Sequence, residues 1–208
     1  MMQGDRKDGR KRARRILLCA SGGFIVYSLP RIILHLLHHF ADDVQVVLSR
    51  AAAKLVSPHA VEVASRNRVF IEMDDTGDGV FVPHIELGRN VDLVLVFPAT
   101  VNILSKVANG ITDELITALI IATEAPVLFM PESNPAMIHH PAVQRNIERL
   151  RADGYLVLPQ IAGPEVATRE DMERLGDNFP IPSLLLQMSA VLADPKSGGM
   201  ARRNPAKS

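Results

Sequence analysis

The sequence predicts an α/β fold: a three-layer α/β/α sandwich around a mostly parallel, Rossmann-like (flavodoxin-like) sheet. Three observations predict it. Wholly apolar runs of about five to seven residues recur along the chain, as strands buried on both faces require. Stretches with apolar residues at helical spacing alternate with those runs. Small or turn-forming residues follow most of the runs, so each strand is set off from the helix after it. Alternation of this kind implies βαβ units, and right-handed crossovers then put helices on both faces of the sheet.

Taken in order, Arg15-Ile-Leu-Leu-Cys-Ala20 reads as the first buried strand, broken by Ser21-Gly-Gly23. Phe24 to Phe40 carries helical spacing. Val44 to Leu48 is the second strand, and Ala51 to Ser65 a helix interrupted near Ser57-Pro58. Arg68 to Met73 reads as a third strand and Asp74 to Gly79 as a turn. Val91-Asp-Leu-Val-Leu-Val-Phe97, stopped by Pro98, is the clearest strand of all. A helix is predicted from about Thr112 to Thr123, a strand over Pro126-Val-Leu-Phe-Met130, a helix from His140 to Ala152 and a final strand from Tyr155 to Leu158. The helix Thr112 to Thr123 is nearly apolar all round, more than one buried face needs. Its outer side is therefore expected to be covered by a neighbouring subunit.

Composition narrows the function classes. The 208 residues are 47% apolar and carry no net charge, but the balance is uneven. Residues 1–15 hold seven Lys/Arg against two Asp, and residues 192–208 hold four against one, which leaves −8 for residues 16–191. An acidic body with 4% aromatics, no Trp and no basic stripe argues against nucleic acid as a partner. The longest apolar run, Leu115 to Ile121, is far short of the roughly 20 residues that span a bilayer, so no membrane is expected. No signal-peptide pattern follows the basic start, and the cytoplasm is the expected compartment. One cysteine, Cys19, allows neither a disulfide framework nor a CxxC metal site. His35, His38 and His39 share a helix face without a matching acid or thiol and read as a solvated face, so no metal is expected. No repeat or linker divides the chain. One domain is expected over residues 15–190, with disordered basic tails at 1–14 and 191–208.

In an open parallel sheet, ligands bind beyond the carboxyl ends of the strands where strand order reverses. That rule selects four loops: Ser21-Gly-Gly-Phe24, Ser49-Arg-Ala51, Pro98-Ala-Thr-Val-Asn102 and Pro131-Glu-Ser-Asn-Pro-Ala-Met137. The first offers small residues whose backbone N–H groups can approach a phosphate, and Ser49 adds a hydroxyl one strand over. Neither GxGxxG nor GxxxxGK[ST] occurs, so dinucleotide and P-loop readings lose their main support.

Four strings occur in a fixed order: Pro83-His-Ile-Glu-Leu-Gly88, Asp92-Leu-Val-Leu-Val-Phe-Pro-Ala-Thr-Val-Asn102, Val107-Ala-Asn-Gly-Ile-Thr-Asp113 and Pro131-Glu-Ser-Asn-Pro-Ala-Met137. Together they resemble the homo-oligomeric flavin-containing cysteine decarboxylases, which carry a histidine in an HIEL-type helix start, a PASANT motif, an A-x-G-x-x-D helix and a PxMNxxM motif. The resemblance covers roughly residues 15 to 160. Thr100, Val101 and Ile103 stand where PASANT has Ser, Ala and Thr, and Ser133 stands where the last motif has its central Met.

The resemblance implies a flavin, FMN or else FAD, with its phosphate on Gly22, Gly23 and Ser49 and with Ser21, Phe24, Thr100 and Asn102 close to the cofactor. It implies His84 as the catalytic base or orienting group, Asn102 as its catalytic companion, and Asn134 and Met137 as substrate contacts. Phosphopantothenoylcysteine decarboxylases of this kind carry a further cysteine in a C-terminal loop that protonates the enethiol. No cysteine follows Cys19 here. The resemblance is therefore closest to the peptidyl-cysteine decarboxylases, which oxidatively decarboxylate the C-terminal cysteine of a ribosomal precursor peptide to an aminoenethiol. The partners implied are that peptide and further copies of the chain, as a trimer or dodecamer. Phosphopantothenoylcysteine decarboxylation and a non-catalytic flavin-binding regulatory subunit are the alternatives. A flavin-prenylating branch of the same fold is disfavoured by the His84 and Asn134 motifs.

Overall fold

Six strands pair in the order β3-β2-β1-β4-β5-β6, every pairing parallel. They are β1 (Ala13–Ala20), β2 (Ala41–Leu48), β3 (Val69–Phe70), β4 (Leu93–Ala99), β5 (Val127–Pro131) and β6 (Leu156–Val157). The computed structural model describes residues 13–77 and 79–160. The expected tails, apart from residues 13 and 14, lie outside the described residues, as does the 161–190 part of the expected domain. Strand β1 begins at Ala13, two residues before the expected domain edge.

The central strands are apolar at every position because both faces are covered. Along β1, Ile16, Leu18 and Ala20 face one helical layer while Leu17 and Cys19 face the other. Along β4, Leu93, Leu95 and Phe97 pair with the first layer, and Val94 and Val96 with the second. The first layer holds α1 (Leu29–His39) and α2 (Pro58–Ser65). Helix α1 buries Leu29, Ile32, Ile33 and Leu36, the spacing of one helix face. Helix α2 opens on Pro58, with the Ser57 hydroxyl accepting the Ala60 N–H at 3.4 Å as its cap.

The second layer holds α3 (Pro83–Glu86), α4 (Val101–Ala108), α5 (Leu115–Ala122), α6 (Pro135–Ile138) and α7 (Pro141–Ala152). The chain from Phe24 to Ser28 is a 3-10 turn before α1, and a second such turn spans Ala52–Lys54. The continuous helix read over Phe24 to Phe40 is thus a 3-10 turn followed by an α-helix. The strand read over Arg68 to Met73 shortens to β3, because beyond Phe70 the Asp75 carboxylate takes the N–H groups of Ile71 (2.6 Å) and Glu72 (2.9 Å). Backbone committed to a local turn cannot extend a ladder.

Helix α5 corrects one expectation. Its apolar circumference was read as a patch awaiting a neighbouring subunit. Leu115, Ile116, Thr117, Ala118, Leu119 and Ile120 are all buried within one chain, where α3 and α4 pack against the helix. Only Ile121 and Ala122 are exposed. A helix that is apolar all round is here an internal helix. Among the described residues, no helix is long and apolar enough to cross a membrane.

Leu95 is fully buried at the centre of β4. Leu95→Ala removes its side chain from the first layer and should lower unfolding free energy by about 2–5 kcal/mol in urea titration. A loss under about 1 kcal/mol would mean that this layer is not close-packed.

Candidate functional site

The pairing of β1 with both β2 and β4 makes the β1/β4 seam the point where strand order reverses. Chain leaving β1 crosses to β2 on one side, and β4 leads on to β5 on the other. A crevice must open above the seam, because the two connections diverge. Ala20 pairs with Leu48, which sets Ser21 and Ser49 side by side at the strand ends. The Ser49 N–H donates to the Ala20 carbonyl at 2.9 Å, and its hydroxyl accepts the Ala52 N–H at 3.1 Å, capping the 3-10 turn.

Ser21 fastens the other side of the crevice. It is fully buried; its N–H reaches the Pro98 carbonyl at 3.1 Å, and its Oγ lies 2.7 Å from the same oxygen. That Oγ accepts the Thr100 N–H at 2.9 Å and lies 2.9 Å from Thr100 Oγ1. Thr100 then starts α4, which points Asn102 outward while Ile103, Leu104, Val107 and Ala108 are buried.

Two glycines are demanded by space. A Cβ on Gly22 would sit 2.6 Å from Ala51 Cβ, so the β1 and β2 turns can touch only through a bare backbone. A Cβ on Gly23 would overlap the Glu132 carboxylate and come within 2.9 Å of Pro98 Cβ. Gly110 answers a different need, a positive φ of 68°. There the Ile111 N–H returns to the Lys106 carbonyl at 2.9 Å, ending α4 and folding the chain back. This reversal brings Asp113 and Glu114 to Lys106, at 2.9 Å and 2.7 Å. The hydrogen bond to Glu114, supported by that to Asp113, holds the Lys106 ammonium above its ordinary range; the Lys106 contact holds the Asp113 carboxyl below its own. The A-x-G-x-x-D string is thus first a helix stop that sets an acid beside a cation.

The result is a polar cleft of about 410 Å³ lined by Ser21, Gly22, Ser49, Arg50, Ala51, Thr100, Asn102, Ile103, Lys106, Asp113 and Glu114. Five residues expected at the site, Ser21, Gly22, Ser49, Thr100 and Asn102, share it. The expected Gly23, Phe24, His84, Asn134 and Met137 are not part of its lining. Gly23 faces Pro98 and Glu132; Phe24 is half exposed and tilted against Tyr27 at 5.2 Å between ring centres. Asn134 caps α6, its Oδ1 accepting the Ala136 N–H at 2.8 Å, and Met137 is exposed on that helix. His84 lies on α3 with Nδ1 buried and, among the described residues, without a hydrogen-bond partner. A buried ring nitrogen left in that state is costly unless something else supplies a partner.

Lys106 and Glu114 emerge only from the structure, and Arg50, inside a loop the sequence selects, gains its place there. Arg50 is exposed and paired with Glu72, Nη2 to Oε2 at 2.5 Å, which holds the Glu72 carboxyl below its ordinary range. Lys106 and Glu114 escape sequence reasoning because it takes the Gly110 reversal to bring them together. Hydroxyls and a bare glycine backbone at a reversal of strand order suit a phosphate-bearing ligand, while the two cations of the lining, Arg50 and Lys106, are each paired with carboxylates. With a seam of apolar strands beneath them, these residues fit a flavin nucleotide.

Comparisons with known proteins agree with this geometry. A family described as Flavoprotein matches residues 5–179. The coenzyme A biosynthesis bifunctional protein CoaBC of Bacillus subtilis (strain 168) is 37% identical over 150 residues, 72% of this chain and 37% of that protein. The chain spans less than half the length of the curated relatives it matches. Among solved structures, the FMN-dependent cysteine decarboxylase SpaF superposes with a TM-score of 0.66 at 32% identity, covering 70% of this chain and 83% of that one. The FMN-dependent cysteine decarboxylase TvaF from thioviridamide biosynthesis gives 0.65 at 27% identity, covering 85% and 98%.

The contact between the β1 and β2 turns is directly testable. Gly22→Ala should cost about 1–3 kcal/mol of stability by overpacking against Ala51. Adding Ala51→Gly should recover most of that loss in a thermal-denaturation double-mutant cycle. Additive losses would mean that the two turns do not touch.

Proposed function

The chain belongs to the Flavoprotein family, and from that premise we propose that it is a flavin-dependent decarboxylase acting on the C-terminal cysteine of a precursor peptide, with FMN as its cofactor. The observation that carries the proposal is the polar cleft at the β1/β4 reversal, lined by Ser21, Gly22, Ser49, Thr100 and Asn102. The likeness to the cysteine decarboxylases SpaF and TvaF supports the reaction class.

The Gly22 backbone, the Ser49 hydroxyl and the Thr100 hydroxyl would hold the flavin nucleotide, with Gly23 and Phe24 beside it. When bound, the flavin supplies the two-electron oxidation without which a cysteine carboxylate has no stabilised leaving path. The chain's own residues do the rest. Asn102, pointing into the cleft from the first turn of α4, offers an amide N–H₂ that orients the substrate carboxylate without adding charge. His84 accepts the thiol proton on a ring nitrogen. Met137, exposed beside the Asn134 cap, gives the peptide an apolar contact.

A second reading, phosphopantothenoylcysteine decarboxylation, is favoured by the 37% identity to CoaBC. Against it stands Cys19, the sequence's one thiol, which is fully buried within β1, where burial pushes it far above its ordinary range. Such a thiol cannot serve as a proton donor to product.

The working unit in this proposal is a homo-oligomer, a trimer or a dodecamer built from trimers. Two observations support it. His84, Asn134 and Met137 are not part of the cleft lining of their own chain. Phe81 and Val82, just before His84, expose apolar surface that a neighbouring copy would cover.

A peptide ending in cysteine, mixed with the purified protein, should lose about 46 Da, the mass of CO2 and two hydrogens. His84→Asn should still bind flavin and leave the peptide mass unchanged. Turnover of phosphopantothenoylcysteine with no effect on such peptides would establish the second reading instead. Light scattering should give a mass several times the 22.8 kDa of one chain; a monomer mass would refute the assembly.

A further inference from the structure

Glu132 is an acid against the β1 turn, beside the cleft rather than in its lining, for which the proposed reaction has no use. It follows directly on β5, and its N–H donates to the Ala99 carbonyl at 3.1 Å, which ties it to the end of β4. Its side chain crosses the seam toward the β1 turn. The carboxylate occupies the place that a side chain at residue 23 would take, and it lies against the Pro98 ring. Gly23 and Glu132 are therefore complementary: the bare backbone makes room for the acid. Gly23 from the β1 turn and Pro98 from β4, which share this spot with the carboxylate, carry no charge, and no charged neighbour contributes to the shift of its protonation. Among the described residues, the carboxylate has no hydrogen-bond or ion-pair partner, and burial pushes its protonation upward.

An acid so placed shares the β1 turn with the flavin phosphate. Two like charges at close range in a half-buried crevice disfavour each other strongly. Resting on the flavin reading of this cleft, we propose that Glu132 is a cofactor-selectivity residue that makes phosphate-bearing flavin bind with uptake of a proton. Ionised Glu132 weakens FMN binding. Protonated Glu132 removes the repulsion and becomes a donor beside the phosphate. Riboflavin, which has the same ring and no phosphate, does not sense the difference. By reciprocity, bound FMN raises the proton affinity of Glu132 by the factor by which protonation raises FMN affinity.

Fluorescence-quenching titrations of the full chain with FMN and with riboflavin, at about pH 5 and about pH 8, test this in wild type, Glu132→Gln and Glu132→Ala. At about pH 8 both variants should bind FMN about tenfold more tightly than wild type, Glu132→Gln the more so because its amide keeps a donor, and the gap between wild type and Glu132→Gln should close as pH falls toward about 5. Riboflavin affinity should be the same in all three at both values. Equal or weaker FMN binding by the variants at about pH 8 would overturn the inference, since the carboxylate would then be neutral to the ligand or holding it. An equal gain for riboflavin would also overturn it. If the variants do not fold, wild type decides: its FMN-to-riboflavin affinity ratio should rise as pH falls, and a falling ratio overturns the inference. Wild type that binds neither flavin sinks the flavin reading itself, and this inference with it.

Discussion

The parallel pairing of β1 with β4 is the constraint on which the rest of the structure depends. It places two strand ends side by side whose onward connections run in opposite directions, so the space above them cannot be closed by either. Ser21 holds that arrangement. One buried hydroxyl lies within hydrogen-bond distance of the Pro98 carbonyl, the Thr100 N–H and the Thr100 hydroxyl, tying the turn after β1 to the turn that starts α4. Because Gly22 has no side chain, the β2 turn can close against the same point, and Ser49 arrives with it. The floor of the cleft follows from strand register and two small residues, and the reversal at Gly110 adds Asp113 and Glu114 to its wall.

The sheet was legible because strands buried on both faces leave no polar positions to confuse the pattern. Leu93 to Ala99 is buried at every residue, and so are Ile16 to Ala20. What sequence reading missed has local causes. Phe24 to Ser28 has helical spacing but winds as a 3-10 turn ahead of Leu29 and Pro30, and the Asp75 carboxylate stops β3 by taking two backbone N–H groups. Helix α5 was misread for a geometric reason. Apolar periodicity cannot distinguish a helix covered by a neighbouring subunit from one enclosed by α3 and α4 of its own chain.

The site was legible in part, and the division is physical. Residues at strand ends, such as Ser21, Ser49 and Thr100, could be located because the strand-end rule depends on topology alone. Lys106 with Asp113 and Glu114 could not, since their meeting depends on the left-handed turn at Gly110. Glu132 lay in plain sight inside a quoted loop, but its importance is a matter of the space opposite Gly23. His84 shows the limit from the other side. Its helix start was read correctly, and its buried Nδ1 is without a partner among the described residues. A motif can name a histidine without naming what it faces.

The central claim is that the β1/β4 crevice holds a flavin nucleotide, and a crystal structure of the full chain grown with saturating FMN tests it most directly. Density for the phosphate within hydrogen-bond distance of the Ser49 hydroxyl and the Gly22 backbone, with the ring above the β1/β4 seam, is the expected result. A flavin seated elsewhere, or an empty crevice at saturating FMN, would contradict the account.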